Sequence, residues 1–168
     1  MTNIGGVDVR SLTDTQFSEL LGKLLSVHWP VPADRIRLLI DSWRWTITWA
    51  SDDESGYEAD PGFGLATKGL ASFDDFDGYL TAIVADTSDY VRDPTQASRA
   101  ALQDAFARHV AVTQQMIGKP VSKKQGEIAS VTWDLPNGAR LQVARSSESC
   151  WVEIASPEEA QERRESGE

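Results

Sequence analysis

The apolar residues of this chain switch twice from a spacing of about 3.6 residues to one of 2, which restricts it to helices packed on antiparallel sheet. In the first half, Phe17, Leu20, Leu21, Leu24 and Leu25 fall on one helical stripe, with Gly22 off it. Thr13 and Gln16 are spaced as a capping box, and Leu12 and Phe17 as a hydrophobic staple. This predicts a helix that begins at Asp14 and is ended by His28, Trp29 and Pro30. A shorter helix after Pro32 carries Ile36, Leu39, Ile40 and Trp43 on one face. Trp45, Ile47 and Trp49 then alternate with Arg44, Thr46, Thr48 and Ala50, the pattern of a strand. Asp52 to Gly62 reads as a loop, Phe63 to Thr67 as a second strand and residues 70 to 77 as an acidic turn. Gly78 to Ala85 reads as a third strand, and Asp86 to Asp93 as irregular chain.

The second half repeats the plan. Asp93 as N-cap, with Pro94 at the first helical position, predicts a helix that runs to Gly118 and Pro120. Leu102, Ala105, Phe106, Val110, Thr113, Met116 and Ile117 form its apolar stripe. A three-residue loop of Pro136, Asn137 and Gly138, with Gly138 left-handed, pairs Leu135 with Ala139, Trp133 with Leu141 and Val131 with Val143, so one face becomes wholly apolar. A turn at Ser146 to Ser149 brings Val152 beside Val143 and Ile154 beside Leu141, with Cys150 inward. Trp151 then shares the opposite side with Glu153, Arg140 and Gln142, where either a second layer covers it or a partner takes it. The expected class is α+β: a helix pair then three antiparallel strands, a long helix then three more. These form a single domain over residues 1–157, with halves 12–93 and 94–157 and an acidic, frayed tail at 158–168. A chain of 168 residues is long enough for one core without metals or disulfides.

Charge is distributed as unevenly as the apolar pattern is regular. Between Asp52 and Asp93 stand eleven carboxylates against only Lys68 and Arg92, so this segment carries nine of the ten net negative charges. Such a field draws in a basic partner and speeds its encounter. The same balance argues against nucleic acid, whose phosphates it would repel. No apolar run is long enough to span a membrane, and no basic leader with an apolar core opens the chain. A single cysteine, Cys150, excludes an internal disulfide, and together these features predict a cytoplasmic protein.

No catalytic constellation is legible. His28 and His109 sit on separate predicted helices without a serine or cysteine motif beside them, and His109 is expected at the core edge. Cys150 reads as an inert buried thiol, and no phosphate loop, dinucleotide fingerprint or nucleophile elbow is present. With Gly56 or Gly78 at the sixth position of a calcium loop, the first position falls on Ser51 or Phe73 instead of an acid, so neither acidic cluster fits and no metal or cofactor is expected. The candidate partner-binding residues are Asp52, Asp53, Glu54, Tyr57, Glu58, Asp60, Phe63, Asp74, Asp75, Asp77 and Trp151: acids for steering and rim contacts, aromatics as anchors.

The sequences from Met116 to Pro120, Val131 to Leu135, Asn137 to Leu141 and Ser149 to Glu153 resemble the helix, GxP turn, tryptophan strand and short hairpin of bacterial immunity-type domains encoded beside secreted polymorphic toxins. The opening helix pair leading into Trp43, Arg44 and Trp45 is similar to an uncharacterised actinobacterial domain family of this size. The resemblance implies a cytoplasmic inhibitor that binds a cognate protein toxin with a basic active-site cleft and occludes it, without chemistry of its own. Two alternatives stand beside it. One is a secretion chaperone or adaptor for an exported protein, and the other a small-molecule enzyme or sensor using a pocket between the tryptophan strand and the long helix.

Overall fold

Thr13 and Gln16 close the expected capping box: Thr13 Oγ1 accepts from the Gln16 N–H at 3.1 Å, and Gln16 Oε1 accepts from the Thr13 N–H at 3.0 Å. They start α1 (Asp14–Leu25), whose Phe17, Leu20, Leu21 and Leu24 are buried. The structure, a computed structural model, describes residues 8–67 and 70–167. A single 3-10 turn, Ala33–Arg35, leads into α2 (Ile36–Ser42), which buries Ile36 and Ile40.

Each half contributes four strands where the apolar pattern predicts three. They are β1 (Thr46–Ala50), β2 (Tyr57–Asp60), β3 (Ala71–Phe76) and β4 (Tyr79–Asp86), then β5 (Ser122–Lys124), β6 (Ala129–Asp134), β7 (Arg140–Arg145) and β8 (Cys150–Ala155). All pair antiparallel in one sheet of order β1-β2-β3-β4-β8-β7-β6-β5. That order reads the same from either edge: each half is a meander, and the two last strands, β4 and β8, join them at the centre.

The predicted loop at 52–62 contains β2, and the predicted acidic turn at 70–77 is largely β3. Tyr57 and Ala59, like Ala71 and Phe73, are buried while their neighbours are not, so both segments are period-2 strands whose solvent side is acidic. Phe63 to Thr67 forms no strand. Asp77 (φ 55°) and Gly78 (φ 85°) make the two-residue turn of the β3–β4 hairpin, for which Asp-Gly is a favoured pair. A bulge shifts the β1–β2 register between Ile47 and Trp49, so Trp45 is buried at 6 % exposure while Trp49 stands 52 % exposed instead of sharing its face.

The long helix α3 (Gln96–Ile117) is capped by Thr95 rather than Asp93, because Thr95 and Ser98 form a reciprocal box that the exposed Asp93 does not offer. The tail is likewise not frayed: α4 (Pro157–Glu165) is capped by Ser156 and buries Ala160. Arg163 holds Glu153 through two contacts of 2.6 and 3.2 Å, and Arg164 reaches Asp134 at 3.0 Å. These attachments to the sheet hold a segment whose own composition favours solvent.

The layers follow from strand alternation. Ala85, Val152, Val143 and Val131 form one apolar row across the central strands. α3 lies on this face over β7 and β8, α1 packs against α3, and α2 packs on β1. Cys150 Sγ lies 3.4 Å from Leu102 O beneath α3. Glu153 points to the other face, where its ion pair holds α4 near β4. Trp151 is on that second face, half-buried and opposite Asp86 and Ala144.

The second hairpin has the expected register, with Trp133 opposite Leu141, Val143 opposite Val152 and Gly138 at φ 92°. A Cβ at Gly138 would also sit 3.4 Å from Pro157 Cβ. Gly138→Ala is therefore expected to lower stability by about 1–2 kcal/mol, the cost of left-handed backbone for an L-residue. Gly22→Ala, in an open helical position, is expected to raise it by up to about 1 kcal/mol. Urea unfolding followed by circular dichroism checks both.

Candidate functional site

The bulge in β1 exposes the Trp49 side chain beside the acidic ends of β2 and β3. Together they line a shallow hollow of about 420 Å³ whose acids are Asp53, Glu58, Asp74 and Asp75. Two stretches of the first half thus meet on one patch: the β1–β2 connection with the outward residue of β2, and the outward residues of β3.

The turn is tightly built. The Ser51 and Ser55 hydroxyls donate to Asp53 Oδ1 at 2.6 and 2.7 Å, and the Ser55 N–H donates to the same oxygen at 3.2 Å. These donors, Ser51 foremost, hold the Asp53 carboxyl below the usual carboxylate range. Asp74 is shifted the other way. Partial burial raises its carboxyl, and the nearby charges of Glu153 and Asp75 raise it further. Carboxylates are therefore crowded here at an electrostatic cost.

Not every sequence candidate joins this patch. Glu54 is held by Arg37 at 3.5 Å in an exposed ion pair, a contact worth little to stability. Asp52 and Asp77 are exposed in the two hairpin turns. Asp60 Oδ1 accepts from the Gly62 N–H at 2.8 Å, and Phe63 packs half-buried against the core. Tyr57 does line the hollow, but at 3 % exposure in the core its ring is not free to act as an anchor. Trp151 lies on the same side of the sheet as Glu58 and Asp74 but outside the hollow. Asp89 is a structural latch: it accepts from the Arg10 N–H at 2.9 Å, the Arg10 guanidinium at 3.2 Å and the Ala66 N–H at 2.8 Å.

Three aromatics that sequence reasoning did not single out are exposed here or next along β3. Beside Trp49, Phe76 is 74 % and Tyr79 48 % exposed, facing each other across the end of the β3–β4 hairpin. The Asp77-Gly78 pair between them is the signal that would have found this hairpin.

A family of unknown function, DUF6301, matches residues 15–156. The chain belongs to the DUF6301 family. The match runs from the second residue of α1 to the N-cap of α4 and so includes both meanders and the acidic hollow of this DUF6301 protein. No curated protein and no solved structure matches it.

Two nucleophile or base candidates are interior. His109 is fully buried and stacks on Phe17 with ring centroids 4.2 Å apart, and its Nε2 lies 3.2 Å from Leu12 O. Because that carbonyl can only accept, Nε2 carries the proton, and Nδ1 has no hydrogen-bond partner among the described residues. Burial pushes the imidazole down to about 4. Burial pushes the Cys150 thiol up to about 12, where it stays protonated and unreactive. Among the described residues, no group of three or more His, Cys, Asp or Glu is placed to hold a metal ion, and no helix is long and apolar enough to cross a membrane.

Proposed function

We propose that this protein is a non-catalytic, immunity-type inhibitor that works in the cytoplasm. Its acidic hollow docks on a basic protein toxin and occludes the toxin's active site. The observation that carries the reading is the convergence of Asp53, Glu58, Asp74 and Asp75 around exposed Trp49 in one concavity. None of these four acids forms an ion pair among the described residues, unlike Glu54, Asp89, Asp134 and Glu153 elsewhere. An uncompensated acidic concavity is complementary to a cationic cleft, and an indole at its rim supplies the apolar anchor that charge alone lacks. Phe76 and Tyr79 extend the apolar contact along the β3–β4 hairpin.

The test is co-purification with the product of the neighbouring gene and assay of that product's activity. A stable complex with loss of activity is the expected result. Absence of a complex at micromolar concentration, with activity untouched, contradicts the reading. Asp74→Asn adds a signature: it removes a charge that the fold disfavours, so affinity is expected to fall while thermal stability does not.

A further inference from the structure

The opposite edge of the sheet carries a feature of opposite sign. Two hollows of about 640 and 510 Å³ share Gln103, Gly126 and Arg145, and so form one trough between α3 and the β5–β6 hairpin. Phe106, Val110 and Val131 give it an apolar wall, while Arg99, Lys123, Lys124 and Arg145 supply cations against the single acid Glu127. Arg99, Lys123, Lys124 and Arg145 form no ion pair among the described residues, whereas Arg108, Arg140, Arg163 and Arg164 in the same half each do. Arg145 is held in place without being neutralised: its Nε donates to Gln103 Oε1, and its guanidinium lies 5.8 Å from the Phe106 ring centroid.

β5 forms the rim of this trough. It is paired with β6 on one side, and the sheet ends at its other side. All three of its residues are exposed, and Val121 and Ile128 beside it are 56 % and 61 % exposed. An unpaired strand edge presents main-chain donors and acceptors in the arrangement that an added strand completes. Lysines are a usual defence of such an edge against indiscriminate pairing, and they leave it open to a strand of opposite charge.

From this geometry we infer that the β5 edge and its trough form a second docking site, which takes an extended acidic segment of another protein by strand addition. The segment's carboxylates meet Arg99, Lys123 and Arg145, and its alternate apolar side chains meet Phe106 and Val110. A nucleic acid is a poorer fit, because the net charge of −10 repels a polyanion at long range whereas a short peptide carries few charges. The inference is independent of the acidic hollow, which lies on β1 to β3 at the other side of the sheet.

The test is fluorescence anisotropy of the full chain with a short labelled peptide alternating glutamate and valine, together with amide exchange over residues 122–124. Saturable binding that weakens with salt is expected, with slowed exchange at β5. The double variant Arg99→Glu, Lys123→Glu should bind about tenfold or more weakly, the loss expected from reversing two rim cations, while Asp53→Asn binds as the parent does. Both reversed positions are exposed, so the fold should survive. The inference is overturned by any of four results: no saturable binding at about 1 mM, a limit that marks negligible affinity; unchanged binding by the reversed variant; equal binding of a backbone N-methylated peptide; or tighter binding of oligothymidylate than of the peptide.

Discussion

Trp133→Ala is expected to lower unfolding free energy by about 3–5 kcal/mol, the range for truncating a fully buried large aromatic. Trp133 is 1 % exposed in the middle of the second meander. Its Nε1–H donates to Gly118 O at 2.9 Å, which fastens the end of α3 to β6. The loss is a large share of the roughly 5–15 kcal/mol that holds a typical domain folded. It should appear as a fall in melting temperature of roughly 6–20 °C for a chain of this length. Trp133→Phe keeps most of the volume and loses the hydrogen bond, so a smaller cost of about 1–2 kcal/mol is expected. Thermal and urea unfolding by circular dichroism separate the two variants. Equal stability of Trp133→Ala and the parent would mean that α3 is not seated as described.

The second large effect is on acid stability. An imidazole that titrates at about 4 in the fold and near 6.5 in the unfolded chain binds more protons when unfolded at any pH between the two. Stability must therefore rise with pH across that window: His109 contributes fully above 6.5, and its contribution is lost as pH falls toward 4. The gap amounts to about 3 kcal/mol, since one pH unit corresponds to about 1.4 kcal/mol. The lowered carboxyls of Asp53 and Asp134 act in the same direction further down, whereas the raised carboxyl of Asp74 opposes them. His109→Gln removes the titrating group, and its stability is expected to be flat between pH 6.5 and 5 where the parent declines. A parent profile that is already flat over that interval would contradict a neutral, buried His109.

What could be read from the sequence and what could not have the same physical origin. The second hairpin was legible to the level of register because Val131, Trp133, Leu141, Val143, Val152 and Ile154 alternate without interruption around a glycine turn. β2 and β3 obey the same period, but Glu58, Asp60 and Asp74 occupy their outward positions, and so many charges read as loop. The acidity that marks the candidate site thus concealed the strands that present it. Apolar spacing puts Trp49 on the same face as Trp45 and Ile47, because a bulge, which reverses the face of a side chain, leaves no mark on that spacing. Nearness in sequence to the acids points to Tyr57 and Phe63 as anchors, but pleating turns Tyr57 inward, and the exposed aromatics are Trp49, Phe76 and Tyr79. α4 is not legible as a settled element in its own segment because its order depends on Glu153 and Asp134, which lie outside that segment. The basic trough depends on α3 meeting a hairpin edge, and no local window of sequence contains both.

The most direct test of the acidic hollow as a docking surface is titration calorimetry against the product of the neighbouring gene, using the parent chain and the triple variant Glu58→Lys, Asp74→Lys, Asp75→Lys. A loss of affinity of about a hundredfold or more is expected, with the parent's binding weakening steeply as salt is raised and Lys123→Glu leaving it unchanged. Equal affinity of the parent and the triple variant, or a parent that does not bind, would contradict it.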